Sequence, residues 1–187
     1  LQLGVLEKEL WLYRALNGRT IVFSKEIAEK STTLTYGYDV ALGIASIIGK
    51  ETAFGEAFHI TSDESYTWKE ILEIYLDTIE KKTGMRPKVL LLDKSPHLEW
   101  IGAKWQVILD RYYNRRFDNS KIQQYIDTSQ FVRTESGLIS CLESFLCHPQ
   151  FKKMGWGIQG TYDRITGEWA PFSEISIIKD CISYLLH

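Results

Sequence analysis

Cysteine is scarce in this 187-residue chain, charge of neither sign dominates, and long apolar runs are missing. Cys141, Cys147 and Cys181 are odd in number and lack metal-ligand spacing, which argues against a disulfide framework or a zinc module and predicts buried free thiols in a reducing compartment. Lysine and arginine total 22 against 24 acids, interspersed, for a formal net charge of −2. That balance leaves no electrostatic footprint for nucleic acid or for an anionic membrane. No apolar stretch approaches a membrane span and no signal peptide is recognisable, so a cytoplasmic protein is expected. His97, His148 and His187 are not spaced as ligands with any Cys, Asp or Glu, and no metal site is predicted.

What is present is a globular composition: 44% hydrophobic residues, with six tryptophans and ten tyrosines. That suffices for one domain with a substantial core, and such aromatics supply either a core or a substrate pocket. Leu3, Leu6, Leu10 and Tyr13 recur at helical spacing and predict a helix over 3–16, stopped by Gly18. A strand over Thr20–Phe23 and a polar loop over 24–33 follow. Val40, Ile44, Ile47 and Ile48 then give the next helix an apolar stripe.

Residues 52–72, TAFGEAFHITSDESYTWKEIL, carry the densest local signals. Ala57–Thr61 reads as a short strand, with His59 as a core histidine, and 61–64 break it. Thr67 and Glu70 then form a capping box, with Tyr66 able to staple onto Ile71. The helix from Trp68 runs to about Thr83 and ends at Gly84; a strand over Lys88–Asp93 completes an αβ alternation. Helical stretches follow over 95–113 (with Trp100 and Trp105), 121–126 and 135–147. The segment 149–187 is a C-terminal extension: a Gly-rich loop, then an amphipathic helix capped by Ser173 with Ile175, Ile178, Ile182 and Leu185 on one face.

The run GEAFHITSDESYTWKEI closely resembles the segment that opens the substrate-binding part of the NAD-dependent epimerase/dehydratase family, the extended short-chain dehydrogenases/reductases. LTYGYDVALGI (34–44) is similar to that family's strand-end and helix element, with Asp39 at its helix-capping aspartate, and RFDNSKI (116–122) to its Asp-x-Ser-Lys segment. The three segments stand in the family's order within residues 1–148. The resemblance implies an α/β, helix-rich C-terminal portion with a few short strands, from which the N-terminal Rossmann portion is absent.

Two family hallmarks are missing. Gly155, Gly157 and Gly160 match Gly-x-Gly-x-x-Gly in spacing, but neither flank reads as the strand or helix N-terminus that a pyrophosphate requires, and a flexible connector is expected there. No tyrosine has lysine four residues on; Asn17, Val40, Glu70, Ile79 and Arg116 occupy such positions. The expectation is therefore a substrate-binding portion with no catalytic, cofactor-binding or metal residue of its own. NAD or NADP would belong to the complete enzyme, and this chain alone would bind none. Its substrate would be a small molecule, a nucleotide sugar or similar hydroxylated compound. A strand left at a bare edge near Ala57–Thr61 implies self-association or pairing with the missing half. The alternative is a non-catalytic ligand- or protein-binding module.

By the same resemblance, Ile21 and Phe23 would flank a nucleotide base, and Tyr36 and Tyr38 would line the pocket or the core. Thr32 stands where nucleotide-sugar members commonly carry a diphosphate-binding arginine. Arg111, Arg115 and Arg116 are the alternative source of that charge, unless they form a solvated surface. Arg116 is the candidate retained.

Overall fold

Leu3 and Leu6 exchange backbone hydrogen bonds of 2.9 Å around Gly4, whose φ of 60° reverses the chain, so the apolar residues from Leu3 are buried by a turn and not by the start of a helix. A Cβ at Gly4 would meet the Phe23 ring at 2.8 Å, which fixes glycine there. The computed structural model describes residues 1–99, 101–152 and 154–186, with the backbone alone at 101 and 102. Trp100 and His187 lie outside the described residues.

Helix α1 spans Trp11–Leu16, and Gly18 at φ 69° ends it. Strand β1 is Ile21–Ser24. The expected loop 24–33 contains helix α2 (Lys25–Ala28), capped by Ser24 Oγ accepting from Ile27 N, and strand β2 (Ser31–Thr32). Helix α3 (Gly37–Ile47) follows, then strand β3 (Tyr66–Thr67) and helix α4 (Trp68–Thr83). The chain continues through strand β4 (Val89–Leu92), helix α5 (Ile101–Gln106), a π-helical turn (Val107–Arg111) and helix α6 (Thr134–Cys147). Helices α7 (Trp156–Thr166) and α8 (Ile178–Leu186) close it. The architecture is mixed α/β and rich in helix.

The capping box reads through directly. Thr67 Oγ1 accepts from Glu70 N at 3.2 Å, Glu70 Oε2 accepts from Thr67 N at 2.7 Å, and Gly84 at φ 77° closes α4. The inner face of α4 buries Trp68, Ile71, Leu72, Tyr75, Leu76 and Ile79, each worth about 1.5–3 kcal/mol of apolar burial. Tyr75 stacks on Trp11 with centroids 4.7 Å apart. Beside this core, β1 and β4 pair in parallel, Ile21 opposite Val89 through Ser24 opposite Leu92, while β2 and β3 pair antiparallel.

The predicted strand Ala57–Thr61 joins no ladder among the described residues. Its partner is a side chain: the Asn119 amide accepts from Thr61 N at 3.3 Å and donates to Thr61 O, as a neighbouring strand's peptide would. Intrinsic strand preference without a neighbouring strand leaves extended but unladdered backbone.

The extension is tied to the body by buried charge. Arg14 on α1, fully buried, donates to Asp163 Oδ1, to Gln159 Oε1 (3.0 Å) and to Thr20 O (2.7 Å). Arg19 donates to Asp163 Oδ2 at 3.3 Å and to Glu174 Oε2 at 3.0 Å. The glycine spacing is not a flexible connector: Gly155 precedes α7, and Gly157 and Gly160 are buried inside it. A Cβ on Gly160 would meet Tyr184 O at 2.2 Å, so its bare backbone lets α7 and α8 approach closely. Ser173 does not cap α8. It lies in a 3₁₀ turn over Phe172–Glu174, and of the predicted inner face only Ile175 is buried.

Candidate functional site

Two open clefts meet at Asp63, in the loop between the extended segment and α4. One, of about 340 Å³, is lined by Thr33, Ser62, Asp63, Ser65, Arg116 and Phe117. The other, of about 550 Å³, is lined by Asp63, Gln123, Tyr125, Ile126, Asp127, Thr128 and Ser129. Both linings are mainly polar, with one aromatic ring each, suited to a hydroxylated ligand.

The wall is built by side chains that hold loops together. Thr35 Oγ1 accepts from Ser62 N at 2.9 Å, and Thr33 Oγ1 lies 2.9 Å from Ser65 Oγ and donates to Arg115 O at 3.3 Å. Asn119, buried, also donates to Asp63 Oδ1 at 3.0 Å, and Thr61 Oγ1 donates to Asn119 Oδ1 at 2.7 Å. Thr128 Oγ1 donates to Asp63 Oδ2 at 2.9 Å and Gln123 Nε2 to its Oδ1 at 3.3 Å. Asp118 accepts from Ser120 N and Oγ, and Lys121 pairs with Glu56; both acids are held below their ordinary pKa by these bonds. The segment 55–71 is thus hydrogen-bonded to 34–44 on one side and to 116–122 on the other, and the clefts are lined by residues of 55–71 and of the chain from Arg116 to Ser129, with Thr33.

The three arginines divide by position. Arg111 is buried, donates to Gly4 O at 2.9 Å and lies over the Trp68 ring; burial lowers its pKa. Arg115 is bonded to Thr32 Oγ1 at 2.6 Å and paired with Asp110 at 3.0 Å. Arg116 is exposed in the cleft and has no hydrogen-bond or ion-pair partner among the described residues.

The other predicted site residues do not gather there. Ile21 and Phe23 are 0% and 2% exposed and belong to the core, because β1 is covered by α1, α2 and β4. Tyr36 precedes α3 and lines a separate apolar recess of about 130 Å³ with Leu34, Gly137, Leu138 and Cys141. Tyr38, 65% exposed, is absent from both clefts' linings and lies on the outer side of α3. Asp39 is not the cap of α3. It lies in the helix's first turn, 3% exposed, and its Oδ2 accepts from Val132 N at 2.9 Å, which anchors the loop before α6. His59 is exposed with its ring 5.1 Å from Phe117, not a core histidine. Cys141 and Cys147 are exposed and Cys181 half-buried, all as free thiols, so the expectation of buried cysteines fails.

Sequence reasoning missed Asp63 and Asn119, which organise the wall. The signal was Asn119 within RFDNSKI, an amide able to satisfy both halves of a peptide unit. Among the described residues no group of three or more His, Cys, Asp or Glu could hold a metal, and no helix is long and apolar enough to cross a membrane.

No protein family, curated protein or solved structure matches the chain.

Proposed function

We propose that this chain is the substrate-binding portion of an NAD(P)-dependent epimerase/dehydratase or related reductase, acting on a sugar nucleotide or a similar hydroxylated substrate. The observation that carries the proposal is the convergence at Asp63. The three segments that prompted the resemblance are distant in sequence, yet 55–71 is hydrogen-bonded both to 34–44, through Thr35, and to 116–122, through Asn119, and 55–71 and 116–122 together line a polar cleft in which the Arg116 guanidinium has no partner among the described residues. A guanidinium beside hydroxyls is a recognition element for phosphate, since it offers a planar fork of donors.

A second feature supports a partner half. Helix α3 is apolar on nearly every side: its one charged residue, Asp39, faces inward, while Tyr38, Leu42 and Ile44 are 65%, 40% and 47% exposed, and Ile48, just after the helix, is 71% exposed. A helix apolar all round belongs inside a protein. The unladdered strand-forming segment 57–61 follows it in the chain, and a dinucleotide-binding half that extends a sheet there would cover both. NAD or NADP would reside in that half. The one run with dinucleotide-turn spacing is engaged otherwise, since Gly157 and Gly160 are buried within α7 and Gly160 rests against Tyr184 O. The chemistry of this chain is accordingly positioning: Arg116 holds the charged end of the substrate, and the Thr33, Ser62 and Ser65 hydroxyls orient its polar groups.

Calorimetric titration with a panel of nucleoside diphosphate sugars tests the proposal. At least one should bind, and Arg116→Ala should weaken it about tenfold or more, as loss of a charge-assisted contact worth roughly 1.5–3 kcal/mol requires. Failure of the whole panel, or micromolar binding of NAD or NADP to this chain by itself, would overturn it.

A further inference from the structure

Helix α8 is amphipathic in sequence but sits with its apolar face outward. Tyr184, buried, and Cys181, half-buried, face the body, whereas Ile178, Ile182, Leu185 and Leu186 are 80%, 53%, 51% and 77% exposed. Ile178, Ile182 and Leu185 recur at i, i+4 and i+7 and form one stripe. Trp169 and Phe172, 55% and 59% exposed, stand edge-on to Tyr184 at 6.1 and 6.4 Å, and Trp169 is joined to the end of the stripe by Arg164, which lies over its ring and donates to Leu185 O. The helix does not turn to hide these side chains, because its inner face is locked. Tyr184 Oη donates to buried Asp163 at 2.6 Å and accepts from Ala170 N at 2.8 Å, and the backbone of Tyr184 rests against Gly160.

We infer that this face is an interface between two copies of the chain, in which α8 packs antiparallel on α8 of the second copy across a two-fold axis near Ile182. The area supports it. With about 150–250 Å² for each large side chain when fully open, the exposed fractions of the six residues amount to roughly 700 Å², above the largest patch common on monomers and within the roughly 600–1,000 Å² that one partner gives a stable interface. Charge supports a like partner over an unlike one. The stripe carries no charge to be matched by a differently charged surface, and a two-fold axis makes the same patch serve both sides. Lys179 and Asp180, its only charged neighbours on the helix, have no ion-pair partner among the described residues. The C-terminal carbonyls of α8 are met within the chain, since Arg164 donates to Leu185 O. The surface is distinct from the α3 face, so the proposal does not rest on the function proposed above.

Sedimentation velocity from about 5 to 200 µM tests it on the 187-residue chain. A dimer is expected, and Ile182→Glu with Leu185→Glu should raise its dissociation constant at least 30-fold with unchanged far-UV circular dichroism. Leu42→Glu on α3, with Ile48→Glu just beyond it, should leave it intact. Should the α8 variant lose its ellipticity, Ile182→Cys in a chain whose three native cysteines are replaced by serine decides: a disulfide-linked dimer is expected on oxidation. A wild-type chain that stays monomeric at 200 µM, a chain that partitions onto lipid vesicles as a monomer, a dimer lost only in the α3 variant, or no crosslink in the Ile182→Cys variant would each overturn the inference.

Discussion

Replacing Asp163 with alanine should detach the C-terminal extension from the body. Asp163 is fully buried and accepts four hydrogen bonds, from Arg14, Arg19 (3.3 Å), Ala170 N (3.0 Å) and Tyr184 Oη (2.6 Å). Its removal leaves the Arg14 guanidinium buried without its closest counter-charge, since Glu168 is 4.0 Å away, and it strips the Ala170 amide of one of two acceptors. Breaking one side of a buried ion pair costs about 3–5 kcal/mol, a large fraction of the roughly 5–15 kcal/mol by which domains are stable. With a urea dependence of about 2 kcal/mol per M, the midpoint should fall by roughly 2 M. Asp163→Asn, which keeps an acceptor and loses only charge, should fall less. Because Arg14 and Asp163 share one network, Arg14→Met with Asp163→Leu should lose less than the sum of the single changes. A midpoint within about 0.5 M of wild type for Asp163→Ala would refute the reasoning, for it would mean that the buried pair does not hold the extension in place.

Two further outcomes follow from single side chains. His97, buried against Tyr162 with Nε2 and Oη 2.5 Å apart, has its pKa pushed down by burial to about 4 from 6.5. The unfolded chain therefore takes up a proton that the folded chain refuses, and stability present above pH 6.5 is lost as pH falls toward 4, by up to about 3 kcal/mol; the difference in urea stability between wild type and His97→Gln should shrink over that window, and a constant difference would contradict it. Asp39→Ala leaves Val132 N without its acceptor beside a packed helix and should cost about 1–3 kcal/mol in a urea melt, with nucleotide-sugar affinity changed less than about twofold.

Local signals were legible where one element settles its own geometry. The Thr67–Glu70 box, the Gly84 stop and β1 all follow from neighbours within a few residues. The failures are those in which distant contacts decide. Asp39 reads as a helix cap because an aspartate near a helix start usually is one, yet its acceptor is used by Val132, 93 residues on. The glycines of α7 read as a loop because the need for bare backbone comes from Tyr184, on another helix. Leu3 to Leu10 carry helical spacing, but Gly4 and the Phe23 ring impose a turn. At the cleft, Arg116 was legible and its freedom was not, since that depends on where Asp110 and Thr32 draw Arg115 and where Gly4 draws Arg111. Ile21 and Phe23 were assigned to a base by resemblance alone, and their burial follows from the packing of β1.

Hydrogen exchange read by mass spectrometry, with and without a saturating nucleoside diphosphate sugar, tests most directly the central claim that the cleft at Asp63 holds a phosphate-bearing, hydroxylated substrate. Slowed exchange is predicted in peptides covering 59–66 and 114–121, lost in Arg116→Ala, with α7 and α8 unchanged. Protection confined to α7 and α8, or to the recess beside Tyr36 and Cys141, would contradict it.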